Sequence, residues 1–74
     1  MERLKEFDIL SGFKFLEANL TEATWSDGTS TDILIMTFVN DKQVAIDVTV
    51  IDGEWNITEP YAVDKDYKPL KRSK

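Results

Sequence analysis

The sequence predicts an α+β fold: a short N-terminal helix packed on a four-stranded antiparallel β-meander. A small all-β barrel is the alternative. Three observations point this way. Leu4, Phe7 and Leu10 recur three apart, the spacing of one helix face. Residues 33–39 and 44–51 are dense in Ile and Val, which suit a pleated, half-buried surface. Asp52-Gly53 separates two alternating runs and is a favoured pair for a two-residue type I′ hairpin loop.

The first element is expected over residues 2–10. Ser11-Gly12 ends it, because Gly tolerates the left-handed conformation at a helix C-terminus. Nine residues are too few for an isolated helix, so packing must hold it. A long first strand follows over residues 14–25. Phe13 and Phe15 alternate with Lys14, then Leu16, Ala18 and Leu20 alternate on the opposite parity. A β-bulge between Phe15 and Leu16 accounts for the switch. Ser26 to Thr31 is a turn centred on Asp27-Gly28.

Residues 33–39 are apolar on both parities, the mark of a strand covered on both faces. Asn40 to Gln43 is the next turn. A two- or four-residue loop there pairs Val39 with Val44, while a loop one residue longer or shorter puts Leu34, Met36 and Phe38 on the face of Val48 and Val50. Either way, one apolar set of this strand shares the side of Asp47, Thr49 and Asn56 and needs a cover. In the last hairpin Asp52-Gly53 pairs Ile51 with Glu54, Val50 with Trp55, Thr49 with Asn56 and Val48 with Ile57. Pro60 ends that strand, since it cannot donate to a ladder, and Tyr61 and Val63 can add a short edge pairing. The expected core is Leu4, Phe7, Leu10, Phe15, Leu20, Trp25, Ile33, Ile35, Val44, Ile46, Val48, Val50, Trp55 and Ile57.

With 74 residues the chain is read as one globular domain over 1–64 and a basic flexible tail over 65–74. A chain of this size buries only about 60% of its unfolded surface. Cys and His are both absent, which removes disulfides, thiolate zinc sites and the commonest neutral-pH general base. No nucleophile elbow or glycine-rich phosphate loop occurs. The carboxylate pairs Asp27/Asp32 and Asp41/Asp47 are explained by turns and a solvated strand face. A non-catalytic protein with no cofactor and no metal is therefore expected. The opening residues Met1 to Lys5 lead into no signal-type apolar run, no stretch has membrane-spanning length, and a cytoplasmic chain is expected.

Charge is unevenly spread. Residues 1–64 carry thirteen Asp/Glu against four Lys/Arg, and residues 65–74 carry five bases against Asp66. The acidic body suits a basic protein partner. Glu17, Glu22, Asp47 and Glu54 are the acidic candidates for contact, and Leu34, Met36 and Phe38 the apolar ones. The expected function is a protein-interaction module, with an inhibitor of a basic nucleic-acid-handling protein as its sharpest form. Acidic phage-encoded inhibitors of nucleases and repair enzymes act in this way. Thr31-Asp32-Ile33-Leu34-Ile35 and Tyr67-Lys68-Pro69 resemble fragments of the phage uracil-DNA glycosylase inhibitor. Their spacing differs and that family's Glu-Ser-Ile element has no counterpart here, so no membership follows. The runner-up is a nucleic-acid-binding accessory protein using Lys65, Lys68, Lys71, Arg72 and Lys74. A self-assembling structural subunit, with a homodimer as its simplest form, is the third reading.

Overall fold

Asp52 and Gly53 both adopt left-handed backbone, with φ of 50° and 79°, as a type I′ turn requires. The hairpin they close has all four expected pairs: Ile51–Glu54, Val50–Trp55, Thr49–Asn56 and Val48–Ile57. It is one part of a computed structural model that describes residues 1–70. The strands are β1 (Lys14–Thr24), β2 (Ser30–Val39), β3 (Val44–Ile51), β4 (Glu54–Ile57) and β5 (Tyr61–Ala62). They form one antiparallel sheet in the order β1-β2-β3-β4. β5 pairs with β3 through Val44–Ala62 and Ala45–Tyr61, so it continues the β4 edge after Pro60. The sheet does not close on itself, which sets aside the barrel alternative.

The helical part of the α+β expectation is corrected in kind. Lys5–Leu10 is a 3₁₀ helix, and Leu4 before it supplies no side-chain cap. The Phe7 N–H donates to the Leu4 carbonyl at 3.2 Å, the i to i+3 spacing of a tight short turn. Six residues without a capping oxygen do not reach the length at which an α-helix holds itself. Among the described residues no helix is long and apolar enough to cross a membrane.

The bulge falls where the parity switch places it. β1 pairs Phe15 with Phe38 and Glu17 with Thr37, leaving Leu16 as the extra residue. Phe15 thus keeps one face, while Leu16 packs against Val39, Ala45 and Val63 on the other.

The β2–β3 register settles the open choice. Val39 sits opposite Ala45, Phe38 opposite Ile46, Met36 opposite Val48 and Leu34 opposite Val50. The loop is Asp41-Lys42-Gln43, closed by the Asn40 N–H on the Val44 carbonyl at 3.0 Å. Gln43 takes φ of 60°, the left-handed residue that completes a three-residue hairpin loop. The Asn40 side-chain oxygen accepts the N–H groups of Lys42 and Val44 at 3.0 and 3.1 Å. The three-residue loop thus selects the second alternative, with Leu34, Met36 and Phe38 on the face of Val48 and Val50.

This register defines two faces. Face A carries Phe15, Ala18, Leu20, Leu34, Met36, Phe38, Ile46, Val48, Val50, Trp55 and Ile57. Face B carries Glu17, Ile33, Ile35, Thr37, Val39, Ala45, Asp47, Thr49, Ile51 and Asn56. The 3₁₀ helix reaches the β4 side of face A, where the Phe7 and Trp55 rings lie 6.1 Å apart and the Trp55 indole N–H donates to Glu6 at 3.0 Å.

On face B the C-terminal segment lies over Val39 and Ala45. The Val63 N–H donates to the Gln43 carbonyl at 2.9 Å, Val63 bridges to Pro69, and the Leu70 N–H donates to the Ala62 carbonyl at 3.2 Å. Within that loop the Asp64 carboxylate accepts the N–H groups of Asp66 and Lys68. Residues 65–70, expected as the start of a tail, are thus tied to the sheet, and Lys71, Arg72 and Lys74 lie outside the described residues.

The core is smaller than expected. Fully buried apolar side chains are Val39, Ala45, Ile46, Val48 and Val63. Of the expected core, Ile46 and Val48 are among them. Phe7, Leu10, Ile33, Ile35, Val44, Val50 and Ile57 are half-buried. Leu4, Phe15, Leu20, Trp25 and Trp55 are exposed. A sheet buries an apolar face only where another layer lies on it, and the 3₁₀ helix covers too little of face A for that.

The turn gives a direct test. A non-glycine residue in left-handed backbone costs about 1–2 kcal/mol, and the greater freedom of Gly in the unfolded chain offsets part of the gain. Gln43→Gly should therefore raise stability by about 0.5–1 kcal/mol in urea unfolding, whereas Asn40→Ala should lower it by about 1–2 kcal/mol by stripping the Val44 N–H of its partner.

Candidate interaction surface

The β1–β2 and β3–β4 turns lie at one end of the sheet, since Ser30 pairs with Thr24 and Ile33 with Ile51. A hydrogen bond of 2.7 Å from the Thr31 hydroxyl to the Asp52 carboxylate joins the two hairpins there. Glu22, Asp27, Asp32, Asp52 and Glu54 gather at this end. The sequence places no Lys or Arg between Lys14 and Lys42, or between Lys42 and Lys65. The opposite end holds Lys14 beside Val39, Lys42 in the β2–β3 loop, and Lys65 and Lys68 in the C-terminal loop. That end also carries Asp41, Asp64 and Asp66, so the two ends differ in that one has bases among its carboxylates and the other has none on its strands and turns. Among the described residues a single ion pair forms, Arg3–Asp8 at 2.7 Å, and none of the five carboxylates at the acidic end takes part in it.

Local geometry favours the charged form of one of them, Asp27. Asp27 accepts the Thr29 hydroxyl at 2.7 Å and the Thr29 N–H at 3.0 Å; these two bonds hold its carboxyl below the usual range. Glu22 and Asp32 face each other directly across β1 and β2, an unfavourable like-charge pair. The Ser30 hydroxyl on Glu22, at 3.3 Å, relieves it only in part.

A shallow depression of about 480 Å³ opens at the same end, lined by Trp25, Thr49, Ile51, Asp52, Glu54, Trp55 and Asn56. Thr49, Ile51, Glu54 and Asn56 belong to face B, which makes this a trough between the β3–β4 hairpin and Trp25. Trp25 is 51% exposed. It follows the last residue of β1, and its backbone N–H donates to the Thr29 carbonyl at 2.8 Å. An aromatic wall with carboxylates at the rim attracts a cation, through the ring quadrupole and through direct charge.

The expected acidic residues do not converge. Glu54 lines the trough and Glu22 sits at the acidic end of face A. Glu17 lies on face B toward the other end, accepting the Asn19 amide at 3.0 Å. Asp47 is half-buried and engaged internally, accepting the Tyr61 hydroxyl at 2.9 Å. Leu34, Met36 and Phe38 stand together on face A, half-buried. Trp25 is an expected core residue and Asp52 an expected turn residue; the only sequence signal for their shared role is a Trp placed beside a turn in an acidic stretch.

A second depression, of about 350 Å³, lies between face B and the C-terminal loop, lined by Leu16, Glu17, Thr37, Tyr61, Asp66, Tyr67, Lys68 and Pro69. The Lys14 ammonium stands 5.8 Å from the Tyr67 ring centre nearby. Burial pushes the Tyr61 phenol up to about 12 from 10.0, helped by its bond to Asp47 and the charges of Asp47 and Glu17. Among the described residues no three carboxylates gather closely enough to hold a metal ion.

Because the Tyr61 pKa is raised in the fold, the neutral phenol's contribution is complete below pH 10.0 and is lost as pH rises toward about 12. Thermal unfolding followed against pH should show this loss in the natural chain, and Tyr61→Phe should remove that part of the alkaline decline. Compared with protein-family models, with curated proteins and with solved structures, the chain matches none.

Proposed function

We propose that the chain is a small, non-catalytic protein-interaction module whose acidic end engages a cationic partner. The observation that carries this is the exposed Trp25 lining one trough with Asp52 and Glu54. Tryptophan dominates many protein interfaces because it offers large area at low entropic cost. Beside two carboxylates it favours an Arg or Lys side chain over an apolar one. The surrounding field, built from five carboxylates that form no ion pair among the described residues, speeds the approach of a basic protein and disfavours acidic ones. A basic nucleic-acid-handling protein offers the matching groove, and occupying that groove would inhibit it.

The test uses Trp25 as its own reporter. In a Trp55→Phe chain, a lysine-rich peptide should change Trp25 fluorescence saturably. The apparent affinity should fall at least about tenfold between about 0.05 and about 0.5 M salt, as screening shortens the reach of the charges. Asp52→Asn with Glu54→Gln should weaken it further. Binding indifferent to salt, or none, overturns the proposal, and a response to duplex DNA in place of the peptide would favour the basic C-terminal segment instead.

A further inference from the structure

We infer that the trough selects arginine over lysine in its partner, a refinement that rests on its role as the contact site. Its two chemistries come from separate elements. The aromatic wall is Trp25, just past the end of β1, and the carboxylates are Asp52 and Glu54 on the β3–β4 hairpin. Trp55 also lines the trough, but it pairs with Val50 and so belongs to face A. There its ring lies beside Phe7 and its indole N–H donates to Glu6. The trough therefore offers a ligand one indole ring, that of Trp25.

A single ring distinguishes the two cations. An ammonium is a compact, strongly hydrated charge, and it gains most from aromatic rings that surround and desolvate it. Here the wall is 51% exposed and the depression is shallow, so a lysine keeps its water and meets screened charge. A guanidinium is planar and more weakly hydrated. It can lie flat on one indole ring while the N–H groups at its edge reach carboxylates in its own plane.

The hairpin holds its acceptors in place before a ligand arrives. One carboxylate oxygen of Asp52 accepts the Thr31 hydroxyl at 2.7 Å, which orients the other toward a guanidinium N–H. The Asp52 backbone is itself fixed in the left-handed conformation of the turn, with φ of 50°. Glu54, paired with Ile51, adds the second carboxylate from the far side of that turn. Acceptors ordered in advance reduce what binding must spend on ordering them. Lysine's point charge has no use for their orientation, whereas the rigid fork of arginine does.

Two labelled peptides of equal length and net charge, one rich in arginine and one in lysine, should be titrated with the full chain and followed by fluorescence anisotropy. The arginine peptide should bind at least about threefold tighter, the scale of one exposed stacking contact. Trp25→Ala should bring that ratio close to one, and Trp25→Phe should keep it above one. Because Trp25 is half exposed, both variants should unfold in urea near the natural midpoint. Thr31→Val should lower the ratio by releasing Asp52. Trimethylating the lysine peptide should not tighten it, since one ring cannot enclose the methyl groups. Equal binding of the two peptides by the natural chain overturns the selectivity and leaves the trough standing as a contact site. A ratio that survives Trp25→Ala, or tighter binding of the trimethylated peptide, also overturns it. Binding of neither peptide removes the contact site and the selectivity together.

Discussion

The loop at Asp41-Lys42-Gln43 sets the register of β2 on β3, and that register decides what each face of the sheet can do. Because side chains alternate along a strand, a slip of one residue would exchange Leu34, Met36 and Phe38 for Ile33, Ile35 and Val39. With Val39 opposite Ala45, Val39 falls under the C-terminal loop, and Leu34, Met36 and Phe38 share a face with Ile46 and Val48. Asn40, which caps the loop with one side-chain oxygen, is thus tied to the composition of both surfaces. The bulge at Leu16 performs the same service for β1: it lets Phe15 stay on face A while the next residue joins the small core on face B.

Local signals carried much of the fold. Asp52-Gly53 announced its hairpin because few residues tolerate two consecutive positive φ values. The parity switch after Phe15 announced the bulge, and Pro60 announced the break between β4 and β5. The β2–β3 register was not legible, because its left-handed position is held by Gln43 rather than by Gly or Asn. The core was overestimated for a related reason: alternation shows which residues share a face, and does not show whether a second layer lies on it. Phe15, Leu20 and Trp25 look alike in sequence to Ile46 and Val48. The C-terminal loop is not legible in the sequence because its anchors, Val63, Tyr67 and Pro69, are scattered among charges. In the candidate site, Glu54 was legible from composition alone, whereas its neighbours Trp25 and Asp52 meet it only through the meander.

Charge shows the same difference between sequence order and space. Along the chain the contrast is an acidic body followed by a basic C-terminal stretch. In the fold the charges are regrouped by the ends of the strands, because the up-and-down path returns every second turn to the same end. Asp27 and Asp52, far apart in sequence, belong to one end, while Lys14 and Lys42 belong to the other. Five carboxylates thus meet where the Trp25 trough opens, though they come from three separate stretches of the chain.

The meander also has a consequence for how the chain reaches this structure. Each of the four long strands pairs with its neighbour in sequence, so the sheet can zip hairpin by hairpin with short loops to close. The exception is the N-terminal segment, whose Glu6 must find Trp55 across 49 residues. It closes a long loop for few contacts, which puts it at the low end of the local stabilities. The 3₁₀ helix is therefore the segment most readily released from the sheet. Its release would bare the β4 side of face A while the rest of the sheet stayed intact.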